Sequence, residues 1–187
     1  VFHFDFNGIN FTESGALNRV LDSMLSEWER EYGIVTDVPQ EYGLRFYRIL
    51  QAAAEQTGRG AVVLVDEYDK PLLDVLERDP ELLDRNRDIL KAFYSVFKQA
   101  DASLRFVFLT GVTKFSQVSV FSGFNQPKDI SMFDKYEALC GITEEELYTQ
   151  FAEPIREMAE SDGCSEEEIR LRLKRHYDGY HFSKNMA

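Results

Sequence analysis

The chain has 187 residues, 44% apolar and 29% charged, with a formal net charge of −12. This composition suits a globular chain with a real core and excludes a disordered one. The acidic balance argues against direct nucleic-acid binding, and no apolar run reaches the roughly 18 residues that span a bilayer.

Residues 1–7, VFHFDFN, alternate strictly, with Phe2, Phe4 and Phe6 on one side and His3, Asp5 and Asn7 on the other. That pattern predicts a half-buried edge strand. The chain opens on Val-Phe-His, without Met, inside this strand, so it is expected to be a piece of a longer protein. Leu17, Val20, Leu21, Met24, Leu25 and Trp28 form one apolar stripe and predict a helix over residues 14–31. A second helix follows Pro39, lined by Leu44, Tyr47, Leu50 and Ala54 and stopped at Gly58.

AVVLV, residues 61–65, is apolar on both faces and predicts a central parallel strand with helices on both sides. Asp79, Pro80 and Glu81 read as N-cap, first-turn proline and first-turn acid of a helix carrying Ile89, Phe93, Val96 and Phe97. RFVFLTGV, residues 105–112, reads as a third strand. Strand–helix alternation of this kind implies βαβ units and a parallel sheet.

Residues 114–142 read as a loop with a short strand at 129–132. Thr143 with Glu146, and Ser165 with Glu168, have capping-box spacing, and each pair predicts a helix start. Leu147, Phe151, Ile155 and Met158 line the first of these helices; Ile169 and Leu173 line the second. Two domains are expected: an α/β core over 1–142 and a helical, lid-like appendage over 143–187. Cys140 and Cys164 stand in no metal or redox spacing and suit free thiols of a reducing cytoplasm.

The stretch GAVVLVDEYDKP, residues 60–71, ends a buried strand in Asp66, Glu67, Asp69 and Lys70. Ligands of open parallel sheets sit beyond the carboxyl ends of the strands. Two adjacent acids there suit phosphoryl chemistry: one can hold Mg²⁺, usually through water, and the other can orient and polarise an attacking water. Thr110 ends a neighbouring strand, where a polar group can sense a terminal phosphate. Asp69 and Lys70 read as a local pair or as a cap for the next turn.

VVLVDEYDKPLLD, then FVFLTGVTKFSQVSVFSGFN, KDISM, CGITEEEL and YDGYHFS, resemble the bacterial AAA-ATPase-like family over nearly the whole chain. The resemblance implies a three-layer P-loop NTPase-like α/β fold of the additional-strand group, often linked to a C-terminal domain similar to PD-(D/E)XK nucleases. It makes the three strands seen here the second, third and fourth, with the P-loop strand missing and due to lie beside the strand at 105–112. It implies Asp66 as the Walker B ligand of Mg²⁺, Glu67 as the catalytic glutamate, Thr110 as the polar sensor and Lys114 as a phosphate contact, with ATP and Mg²⁺ as cofactors.

The chain departs from the family in one respect: it contains no Gly-Lys-Ser or Gly-Lys-Thr triplet. Without that loop no nest of backbone N–H groups cradles the phosphates. The expected function is therefore a fragment of an ATP-hydrolysing switch, inactive by itself, with a homo-oligomer as one expected assembly. The alternative is a non-catalytic interaction module using the acidic helices of 143–176. A metal-dependent nuclease built on Asp66, Glu67, Asp69 and Lys70 fails on spacing, because Glu67 lies three residues before Lys70 and Asp69 is adjacent to it.

Overall fold

The computed structural model describes residues 1–35, 40–112 and 127–177. It divides into two compact units, with the division between Pro127 and Lys128. The boundary read from the sequence lies further on, at residue 142.

In the first unit, β1 (Phe2–Asp5), β2 (Ala61–Asp66) and β3 (Leu104–Leu109) form a parallel sheet in the order β1-β2-β3. Helices α1 (Ala16–Glu31) and α2 (Tyr42–Thr57) connect the first pair. Helices α3 (Lys70–Leu73), α4 (Pro80–Tyr94) and α5 (Val96–Gln99) connect the second. The expected local signals are present. Gly58 ends α2 at φ 65°, and the Asp79 carboxylate accepts from the Leu82 N–H at 2.9 Å to cap α4.

Phe2 and Phe4 are registered with Val63 and Val65, and all four are buried on one face of the sheet. There they meet helix side chains. Phe4 lies 4.9 Å from Trp28, 5.0 Å from Phe46 and 5.1 Å from Phe93, ring centre to ring centre, in edge-to-face geometry. Such pairs add about 0.5–1.5 kcal/mol each beyond their burial.

The opposite face differs from the two-sided cover expected of AVVLV. Val62 and Leu64 are half-buried, and Phe106, stacked on Phe108, is 54% exposed. None of these four belongs to the core cluster, to which Val107 and Leu109 do attach. Topology explains the difference. Both connections step the same way along the sheet, and right-handed crossovers that step the same way put their helices on the same face. A second helical layer requires a strand that reverses the direction, and no described strand does so. β3 is consequently an edge carrying exposed aromatic surface.

In the second unit, a 3-10 turn at Asp134–Leu139 precedes α6 (Glu144–Thr149), α7 (Ala152–Asp162) and α8 (Glu166–Tyr177). Ile155, Ala159 and Ile169 form its small core with Leu147, Cys164 and Leu173 around them. The Thr143–Glu146 capping box forms in full, and Ser165 Oγ accepts from the Glu168 N–H at 3.2 Å.

Two expectations are corrected here. No strand forms at 129–132; Asp129 Oδ1 instead accepts from the Ser131 N–H at 3.0 Å in a local turn. The single helix through Leu147 and Met158 is two helices, broken at Gln150 and Phe151. Pro154 accounts for the break. It has no N–H to give, and its ring would clash with the carbonyl four residues earlier, at Gln150. Among the described residues no helix is long and apolar enough to cross a membrane.

Candidate functional site

The carboxyl ends of the three strands carry Asp5, Asp66 and Thr110. In β2 the odd-numbered residues enter the core, so Asp66 falls on the opposite face. Register places Asp5 beside Asp66, and the Phe6 N–H donates to the Asp66 carbonyl at 3.2 Å. Paired strands run about 4.8 Å apart, so the two exposed carboxylates form a local negative field. Sequence reading treats Asp5 only as part of a polar edge; its neighbour depends on register, which no local pattern reveals.

Thr110 continues β3 past its last strand residue. Its N–H donates to the Val65 carbonyl at 2.9 Å, which carries the β2–β3 ladder to the tip. The Thr110 hydroxyl then donates to Asp66 Oδ1, and the Glu67 N–H donates to the same oxygen at 3.1 Å. Among the described residues no hydrogen bond falls on Asp66 Oδ2.

Glu67 leaves the strand sharply. Its φ of 51° makes it the one described non-glycine residue in the left-handed region. It is half-buried, and its carbonyl accepts from the Lys70 N–H at 3.0 Å. Strain of this kind concentrates at functional sites and persists only when the surroundings enforce it.

Of the two readings of Asp69 and Lys70, the structure places Asp69 at the N-cap position of α3, without a side-chain cap hydrogen bond, while Lys70 pairs elsewhere. Lys70 Nζ is 2.8 Å from Asp74 Oδ1, one helical turn on. Asp74 Oδ2 also accepts from the Phe11 N–H at 3.2 Å, which ties the β1–α1 loop to α3. Asp69 is buried at the start of α3, where its carbonyl accepts from the Leu72 N–H at 2.9 Å. Lys114 lies outside the described residues.

The structure thus brings Asp66, Glu67 and Thr110 to one strand tip. The arrangement offers hard oxygen donors at the mouth of a parallel sheet, with one acid tethered and the next held off the strand line.

The family described as "Predicted AAA-ATPase" matches residues 1–121. The chain is also 39% identical over 183 residues to a protein of Azotobacter chroococcum mcd 1 described as an uncharacterized protein in the vnfD 5' region. That match covers 98% of this chain and 33% of the relative, so the chain spans about a third of the relative's length. No solved structure matches it. With more than half of its residues matched, this chain belongs to the AAA-ATPase-like family.

Proposed function

We propose that the chain contributes the Walker B and sensor half of a nucleotide site in a longer ATP-hydrolysing protein. The observation that carries this reading is the Thr110–Asp66 hydrogen bond across the carboxyl ends of β3 and β2, with Glu67 held next to it. Sheet topology supports it. Among the described residues the strand order lacks the reversal that makes a ligand crevice in open α/β sheets. A strand added at the free edge of β3 would create that reversal beside Thr110, and its helix would cover Phe106 and Phe108. A phosphate-binding loop between that strand and helix would then face Asp66.

The residues present fit Mg²⁺. Its sites take one or two carboxylates with waters and substrate phosphates, not a cage of protein ligands. Asp66 supplies one such carboxylate, and among the described residues no cluster of three or more His, Cys, Asp or Glu forms a cage. Bound there, the ion would neutralise charge on the phosphates. Asp66 would hold it through water, the Thr110 hydroxyl would keep the Asp66 carboxylate in place, and Glu67 would orient a water and take its proton. Lys114 would contact a phosphate. A cytoplasmic setting fits both the thiols and the supply of ATP.

Turnover by the longer natural protein tests the reading. Glu67→Gln should abolish hydrolysis and spare ATP binding, and residues 1–187 alone should bind ATP only weakly. Tight binding by the short chain would refute the division of the site. A longer protein that neither binds nor hydrolyses ATP would favour an interaction module. The helical unit offers surface for that second reading: Ile142 is 63% exposed, Leu171 48% and Met158 44%.

A further inference from the structure

We infer that Gly111 is a positioning residue: the space left by its absent side chain seats Tyr68 and Asp69, and this seat fixes the left-handed turn at Glu67. The inference rests on the role proposed for Glu67 above.

A Cβ at position 111 would lie 2.5 Å from Tyr68 Cε1, 2.7 Å from Tyr68 Cδ1 and 2.6 Å from Asp69 Oδ1. Nonbonded carbons rest at about 3.5–4.0 Å, so all three contacts are forbidden. The obstructing groups have nowhere to go, because Tyr68 is 4% exposed and Asp69 1%. Backbone conformation does not demand glycine here, since Gly111 is not among the glycines with positive φ. The requirement is one of space.

That space bears on Glu67 through the backbone. The Tyr68 N–H donates to the Thr110 carbonyl at 3.0 Å, and the Thr110 N–H donates to Val65 at 2.9 Å. Thr110 therefore clamps the chain on both sides of the Asp66–Glu67 pair. The Tyr94 hydroxyl reaches the Tyr68 carbonyl at 3.5 Å from the buried side. Between these fixed points the chain turns at Glu67, and its φ of 51° is the conformation that closes the turn. Pushing Tyr68 out of its seat breaks the second clamp. Glu67 then relaxes toward the right-handed region and its carboxylate moves. Asp66 stays on its strand, tethered by the Thr110 hydroxyl, so nucleotide affinity depends little on the seat while the hydrolytic step depends on it strongly.

The test is Gly111→Ala in the longer natural protein, read by amide hydrogen exchange at Tyr68, by kcat for ATP and by nucleotide Kd. The expected result is Tyr68 exchange faster by about tenfold or more, kcat lower by about tenfold or more, and Kd unchanged within about twofold. Should that variant not fold, Tyr68→Leu empties the seat without adding an atom and is read in the same three ways. Unchanged exchange at Tyr68 overturns the inference, as does unchanged kcat, or a Kd that rises as far as kcat falls. A wild-type protein without turnover defeats the function proposed for Glu67 instead, and the seat then stands or falls on Tyr68 exchange alone.

Discussion

The Thr110 hydroxyl donates to Asp66 Oδ1 and joins the tips of two neighbouring strands whose residues lie 44 positions apart in the chain. A hydrogen bond between partly exposed groups is worth about 0.5–1.5 kcal/mol. Its value here is orientational, because it commits one carboxylate oxygen and, under the proposed function, would leave the other for a cation's water. Thr110→Val keeps the shape and deletes the donor. In the longer protein it should lower kcat/KM for ATP about tenfold, while Thr110→Ser stays within about threefold of wild type. Steady-state kinetics on the two variants decides the matter, and equal loss in both would remove the hydroxyl from the account.

Glu67 carries a backbone cost that stability measurements can expose. A non-glycine residue in the left-handed region costs about 1–2 kcal/mol. Glu67→Gly should therefore raise the unfolding free energy of the chain by about 1 kcal/mol while ending turnover in the longer protein. Glu67→Val, β-branched at φ 51°, should lower it by more than about 1 kcal/mol. Urea unfolding midpoints give both numbers, and a valine variant as stable as wild type would contradict the strain.

These elements differ in how far sequence could reveal them. Caps are local, and Asp79, Gly58 and the Thr143–Glu146 box are legible from a few adjacent residues. The alternation of Phe2, Phe4 and Phe6 is local too, and it marks the buried face of β1. The break before α7 was equally readable at Pro154, but the spacing of Leu147, Phe151, Ile155 and Met158 hides it. The one-sided cover of the sheet was not readable from AVVLV, because it follows from strand order and crossover handedness. Nor could spacing show that Asp5 lies beside Asp66 or that Gly111 lies against Tyr68, since register and close approach are made in three dimensions. Of the site residues, Asp66 and Glu67 stand out by their charge at a strand end, whereas Thr110 joins them through a pairing 44 residues long.

Arg45 ties α1 to α2. Its guanidinium meets both oxygens of Glu29, at 2.8 and 2.7 Å, with Asp22 at 2.5 Å and Ser26 Oγ at 2.9 Å. The Arg45 and Glu29 side chains are only 11% and 12% exposed, and the Glu29 hydrogen bonds hold the guanidinium pKa above its ordinary value. Arg45→Leu strands the Glu29 carboxylate in a poorly solvated place and should cost about 2–4 kcal/mol. Arg19→Ala removes a pair with Glu13 whose side chains are 63% and 69% exposed, and it should cost less than about 1 kcal/mol. Chemical unfolding of the two variants would separate them, and similar losses would show that burial does not set the difference.

The Thr143–Glu146 box should make α6 sensitive to acid. The Thr143 N–H donates to Glu146 Oε2 at 2.9 Å and the Thr143 hydroxyl lies at the same distance. These bonds, the backbone one first, hold the Glu146 pKa below the ordinary 4.5. Because the folded value is depressed, the contribution is complete above pH 4.5 and is lost as pH falls through the lower folded value. An NMR titration of the Glu146 carboxyl should therefore place its midpoint under 4.5, and Thr143→Ala should move that midpoint upward. The helical signal of α6 should fade over the same acid range in the wild type and show a weaker pH dependence in the variant, which keeps the backbone N–H of residue 143 but loses the hydroxyl. A Glu146 midpoint that ignores the alanine would mean that the hydroxyl contributes nothing and that the backbone N–H of residue 143 and the helix N-terminus hold the carboxylate by themselves.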